Sequence, residues 1–335
     1  MLVPFVVDAD SLAPDPQWAP STLRACHNDL LDMWNRFGLL VHDGASLEQS
    51  RLRQAVERLP SKQRDQWVRM LKHAPPVACA TWNGQVVPAG AALLCSVASL
   101  ALVDDTRAEV EFEIDEESDE VRFSPSIDRH LVVSRLQAAA HASVVEEAMS
   151  LSQRNIEEGE GYEEIWNARF RSLASAPSLK NVAIVDRFAM ERHFKVPRDY
   201  PSGLKRFLNL LDADAGGIRY LTLFSAWTDW FGENGYGYED IEKEMDNLMY
   251  RLDRHNVKRL TVYMIPNRAF GNESHGRYVR FERYVWELDN GLDIFEGARG
   301  QQPRQVSFKA DCEFHRQREV DLRNEPKVKQ IVLKR

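Results

Sequence analysis

The sequence predicts an α/β protein, with an N-terminal α/β unit followed by a second unit built on a mixed β-sheet. Three observations predict it. Short β-branched runs alternate with amphipathic stretches, as in PFVVDAD followed by STLRACHNDLLDMWNRFG. A second series of such units starts at NVAIVDRF and runs to RLTVYMIP. Between the two, RNIEEGEGY loses periodicity and gains charge and glycine, which predicts units over 1–155 and 162–335.

In the first unit, Phe5 to Val7 form a short buried strand that ends in Asp8 and Asp10. The stretch after APDPQWAP is a helix capped by Ser21 or Thr22, with Leu23, Cys26, Leu30, Met33, Trp34 and Phe37 on one stripe. LLVHDG is a second strand, and SLEQSRLRQAVERL a helix stopped by Pro60. SKQRDQWVRMLKHAP is a further helix with Ser61 as cap. A short helix leads into the strand LALVDD. Val110, Phe112 and Ile114 alternate with acidic residues, and Val121 and Phe123 repeat the pattern, which predicts a hairpin. A helix is predicted from Val133 to Ser152.

The second unit opens with the helix EEIWNARFRSLA. NVAIVDRF, YLTLFSA and RLTVYMIP are strands separated by the helices SGLKRFLNLLDAD and DIEKEMDNLMYRLDRHN. A ribbon from Tyr278 to Leu288 then meets NGLDIF. The order β-α-β-α-β followed by β-β gives a mixed sheet with helices on its faces.

Bulk composition narrows the function. Hydrophobic residues make up 44% and charged residues 28%, as in globular proteins. The net charge of -8 disfavours a broad nonspecific nucleic-acid surface but leaves room for a local basic pocket. Cys26, Cys79, Cys95 and Cys312 form no CxxC pair, so reduced thiols are expected. MLVPFVVDAD has no basic start, and no secretory leader is expected. PAGAALLCSVASLALV is about 16 residues long, short of the roughly 20 that span a bilayer. A cytoplasmic location is the expectation, and a membrane partner is disfavoured.

SHGRYVRFERYVWELDNGLDIFEG carries the chemistry. His275 and Arg277 stand two apart in a strand and so share a face. A histidine beside a cation suits attack on phosphorus while the cation neutralises the phosphoryl oxygens. Glu282 would orient the histidine or act on the leaving group. The spacing H-x-R-x-x-x-x-E resembles a modified H-x-K-x-x-x-x-D motif of the phospholipase D superfamily. With NGLDIF it resembles, more closely, the phospholipase D-like C-terminal domain of MIT-domain proteins, over residues 160–335.

That resemblance implies a phospholipase D-like fold with His275, Arg277 and Glu282 as catalytic residues. Arg187 follows the first strand of the unit, and on that position it is expected to join Arg277 in binding phosphate. Arg277 replaces the lysine of the enzymes, Glu282 the aspartate, and Gly276 the aspartate of the MIT-type pattern. Arginine clamps phosphate well but does not deprotonate. The motif occurs once where active enzymes use two, so a homodimer would supply the second half. Asp289 and Asp293 are expected to fix the turn.

At the other end of the chain, FVVDADSL resembles the first strand of PIN-like nuclease domains. Clustered carboxylates at strand ends hold divalent cations that activate water. Asp8 and Asp10, with Asp104 and Asp105 after a later strand, are the candidate ligands for Mg²⁺ or Mn²⁺, and Asp43 can converge on the same edge. SAWTDWFGENGYGYED is an aromatic loop at a strand end, either a lid or a self-packed surface.

Two functions compete. The first is a nuclease or related phosphodiesterase, which the resemblance sets in a prokaryotic defence or nucleic-acid-processing system. The second is a non-catalytic module that recognises a phosphate group, nucleic acid or a protein partner.

Overall fold

The computed structural model describes residues 1–13, 18–114, 117, 119–126, 129–197, 200–271, 276–297 and 302–335. The chain is an α/β protein with two mixed β-sheets and interspersed helices. It divides into Met1–Ser150 and Leu151–Arg335.

The first unit holds β1 (Val3–Val7), β2 (Gly38–Asp43), β3 (Val77–Cys79), β4 (Leu100–Val103), β5 (Glu120–Ser126) and β6 (Arg129–Arg135). Their order is β3-β2-β1-β4-β6-β5. Every pairing is parallel except that of β5 with β6. Parallel pairing brings the ends of β1, β2 and β4 to one edge, so Asp8, Asp43 and Asp104 meet there.

The helix Pro20–Arg36 buries Leu23, Cys26, Leu30, Met33 and Trp34. It begins at Pro20, which lacks the N–H that a first helical position leaves unpaired, so Ser21 and Thr22 lie inside it rather than capping it. Ser61 likewise lies inside its helix, after Pro60. Gly38 is required for close approach: a β-carbon there would lie 2.6 Å from Trp34 Cα and 2.7 Å from Phe5 Cε1.

Two elements differ from the sequence expectation. Asp105–Val110 is helical, with Asp104 as its cap accepting from Arg107 N, and no strand forms over 110–114. Phe112 and Ile114 are buried, but from a turn after the helix. The cap outweighs an alternation that only imitates a strand. Residues 133–135 continue β6, because β-branched Val132 and Val133 pair with β4, and the helix begins at Ser143.

The second unit holds β7 (Asn181–Val185), β8 (Arg219–Trp227), β9 (Val257–Pro266), β10 (Tyr278–Phe281), β11 (Tyr284–Leu288), β12 (Val306–Lys309) and β13 (Lys329–Lys334). Their order is β12-β11-β10-β7-β8-β9-β13. β7, β8 and β9 are mutually parallel and the remaining pairings antiparallel. β12, the helix Glu313–Arg323 and β13 complete the sheet beyond the elements read from the sequence.

The segment read as a linker is built into this unit. Ile156 and Arg304 exchange two backbone hydrogen bonds of 3.0 Å, and Glu160 pairs with buried Arg169 at 2.5 Å. Trp166 stacks on Phe170, and both meet Phe207 and Phe295 edge to face, with Trp166 and Phe207 centroids 5.5 Å apart. All four cysteines are free and buried. Among the described residues, no helix is long and apolar enough to cross a membrane.

Candidate functional site

The second sheet gathers basic side chains at one edge. β10 runs antiparallel to β7, with Tyr278 opposite Val185. The start of β10 therefore meets the ends of β7, β8 and β9, where open α/β sheets bind ligands. Asp186, Arg187 and Phe188 follow β7; Asn267 follows β9; Arg277 precedes β10; Asp289 and Asn290 follow β11.

Asp186 organises this edge. Its Oδ1 accepts from Phe188 N at 3.0 Å and its Oδ2 from Leu292 N at 2.8 Å. Gly291 adopts φ 62°, and a β-carbon there would lie 2.1 Å from Asp186 Oδ2. Glycine thus lets the turn close over a buried carboxylate. The turn was expected to be fixed by Asp289 and Asp293; its backbone is held by Asp186.

Three guanidinium groups surround Phe188. The Cζ atoms of Arg187, Arg192 and Arg277 lie 5.1, 5.7 and 5.7 Å from its ring centroid. Arg187 donates to Asn267 Oδ1 at 2.7 Å and to the Gly271 carbonyl at 3.2 Å. Arg277 donates to the Asp289 carbonyl at 2.8 Å. These anchors are neutral, so they fix the two cations without cancelling their charge. Arg192 donates to the Asn290 carbonyl at 3.2 Å and is ion-paired with Asp293. Burial pushes the Asp293 carboxyl up to about 7, against the pull of Arg192 and with Glu296 and Asp186 adding to the rise.

Of the residues expected here, Arg187 and Arg277 come together. His275 lies outside the described residues. Glu282 stands at the far end of the sheet, a correction to its expected place beside Arg277. The two stand at opposite ends of β10, five residue steps or roughly 16 Å apart. Glu282 turns the β10–β11 hairpin at φ 51°, and its Oε1 accepts from Asn181 N and Nδ2 at 2.8 and 2.7 Å. Sequence reasoning missed Arg192. Its position on the first helical turns after NVAIVDRF, next to Arg187, was the available signal.

A neighbouring cleft of about 440 Å³ is lined by His193, Ser202, Lys205, Lys243, Glu244 and Arg251, among others. His193 Nδ1 lies 2.6 Å from Ser202 Oγ, and its Nε2 lies 3.3 Å from Glu244 Oε1. The bond to His193 holds Glu244 below the usual carboxylate range. Ser202 Oγ also accepts from Lys205 N at 3.2 Å, which caps the helix Gly203–Asp214. The aromatic loop packs on itself: Trp227 on Phe231 and Tyr238, and Trp230 on Tyr236.

In the first unit the acidic edge is internally compensated. Asp8 is fully buried and accepts from Val86 N at 2.7 Å, from Asp10 N at 3.0 Å and from Arg107 Nη1 at 2.9 Å. Burial raises the Asp8 pKa, opposed by the Val86 N–H and by Arg107. Arg107 also reaches Asp10 at 3.5 Å, and Arg51 grips both oxygens of Asp10 at 3.0 Å.

Asp104 accepts from Ser11 Oγ at 2.8 Å, and Asp43 accepts from Arg51 N and Leu52 N. Asp105 turns to Arg135 and Gln137 instead. As arranged, these carboxylates are matched to guanidinium and N–H donors rather than to a divalent cation, which wants several oxygens around an open position. Among the described residues, no group of three or more His, Cys, Asp or Glu is gathered as metal ligands.

No protein-family model matches the chain, and no curated protein sequence matches it.

Proposed function

We propose that the second unit is a phosphodiester-recognising domain of the phospholipase D-like class and that nucleic acid carries the diester. One observation supports this above the others. Among the described residues, Arg187 and Arg277 are held beside Phe188 by hydrogen bonds to neutral oxygens, which favours two preorganised positive charges at a sheet edge. Rigid guanidinium forks match phosphate oxygens. The net-negative remainder of the chain confines that affinity to the pocket.

Cleavage is a second reading, supported by the position of His275 two residues before Arg277. A histidine nucleophile needs no metal, so such cleavage would persist in EDTA. A nuclease centred on Asp8 would need Arg107 to withdraw before a Mg²⁺ or Mn²⁺ ion could enter.

The test is binding and cleavage of labelled single- and double-stranded DNA and RNA by the full chain, with Mg²⁺ or Mn²⁺ and with excess EDTA. Binding abolished by Arg187→Ala and Arg277→Ala, without cleavage, supports the recognition domain. EDTA-resistant cleavage lost in His275→Ala supports catalysis at the same site. Binding unaffected by either arginine variant removes both readings.

A further inference from the structure

We propose that Ser202, His193 and Glu244 form a second reactive site, one that hydrolyses small carboxylic esters in the cleft of about 440 Å³. The proposal is independent of the phosphate reading, since neither Arg187 nor Arg277 takes part. Its basis is three side chains brought together from three helices. His193 lies on the helix Ala189–Lys195, Ser202 caps the helix Gly203–Asp214, and Glu244 lies on the helix Tyr238–Tyr250. Ser202 Oγ is 2.6 Å from His193 Nδ1, and His193 Nε2 is 3.3 Å from Glu244 Oε1. All three line the cleft.

Charge sets the direction of these bonds. Glu244 is held ionised by its bond to His193, and an ionised carboxylate only accepts. A neutral His193 therefore carries its proton on Nε2 and leaves Nδ1 as the acceptor for the Ser202 hydroxyl. Lys205 N donates to the same Oγ at 3.2 Å. That occupies one of the two oxygen lone pairs and leaves the other for attack. Nucleophile, base and orienting acid stand in the order that nucleophilic catalysis needs. Capping alone does not require it: Ser50 accepts from Arg53 N in the same way, yet its hydroxyl donates to the Leu47 carbonyl at 2.7 Å.

In the first half of the reaction, Ser202 Oγ bonds to the ester carbonyl carbon as its proton passes to His193 Nδ1. The ester C–O bond breaks, and the alcohol leaves with that proton. In the second half, water bonds to the acyl carbon and gives a proton to Nδ1. The carboxylic acid leaves as Oγ recovers that proton. The N–H groups of Gly203 and Leu204 open the helix and have no acceptor within it, so they are the donors at hand for the carbonyl oxygen as it gains charge. Glu244 is a positioning residue, acting through His193. Phe194, Tyr200 and Tyr236 add aromatic surface to the cleft, which suits an aryl ester.

The experiment treats the full chain with phenylmethanesulfonyl fluoride, maps the modified residue by mass spectrometry, and follows hydrolysis of 4-nitrophenyl acetate. The sulfonyl fluoride reports the nucleophile because Oγ bonds to sulfur as fluoride leaves. The expected result is modification at Ser202, with hydrolysis blocked by the reagent and absent in Ser202→Ala. Because Ser202→Ala also removes a helix cap, His193→Gln is the companion variant. It keeps the cap and should slow both reactions at least about a hundredfold. Glu244→Gln should lower kcat by a similar factor with KM nearly unchanged, the mark of an interaction made in the transition state. Thermal unfolding checks that each variant is folded. A folded wild-type chain left unmodified at Ser202 overturns the proposal. So does hydrolysis that persists in folded Ser202→Ala or His193→Gln.

Discussion

Gly291 and Asp186 occupy the same space: the β-carbon that residue 291 lacks would lie 2.1 Å from the Asp186 Oδ2. Two segments far apart in sequence are joined there by a missing side chain and a buried carboxylate. Gly291→Ala forces this contact and also strains a backbone at φ 62°. The expected cost is roughly 3 kcal/mol of stability, with loss of the phosphate site, because Asp186 also positions Phe188. Urea unfolding and a binding assay on the same preparation check both.

Arg187 and Arg277 make a prediction about salt. Each contributes one phosphate contact, so each alanine variant should lower the slope of log affinity against log salt by about 1. Glu282→Gln should leave that slope unchanged, since Glu282 serves Asn181 at the opposite end of β7. Binding titrations between low and high salt separate the two cases.

Arg280 and Glu319 form a buried fork-to-fork pair, with Nε and Nη2 each 2.6 Å from a carboxylate oxygen. Glu319→Ala strands the guanidinium. The expected loss is about 3–5 kcal/mol, read from the urea midpoint. Replacing both partners with apolar residues of similar volume should recover much of it.

His27 predicts a pH dependence. It is fully buried, accepts from Trp67 Nε1 at 3.0 Å, and burial lowers its pKa to about 4. The folded chain thus resists a proton that the unfolded chain takes up near 6.5. This contribution is fully present above pH 6.5 and fades as pH falls toward 4. It amounts to about 3 kcal/mol. Unfolding free energies measured at several pH values should show that slope, and His27→Gln should flatten it.

Arg107 bridges Asp8 and Asp10. Arg107→Ala leaves a fully buried carboxylate without its cation and should cost about 3 kcal/mol. Adding Asp8→Asn should return part of that loss in a double-mutant comparison.

The alternation of short β-branched runs with amphipathic helices made the α/β class legible, because both periods are local. Local signals misled where a cap competed with a pattern, as Asp104 did over residues 110–114. The placement of Arg187 and Arg277 followed from strand order. The insertion of Arg107 between Asp8 and Asp10 did not, since it depends on how a helix after β4 tilts toward β1. Asp293 meeting Arg192 has the same cause: the two lie about a hundred residues apart, and only packing joins them.

The edge around Phe188 draws on the ends of β7 and β9, the start of β10 and the turn after β11. No short stretch of chain carries it. Occupancy and native structure are therefore thermodynamically linked. An anion at a hundred times its dissociation constant adds about 2.7 kcal/mol to the folded state. The same linkage makes the pocket a sensor of the unit's integrity: a chain cut before β10 keeps Arg187 and Arg192 yet has no second wall for a ligand to bind against.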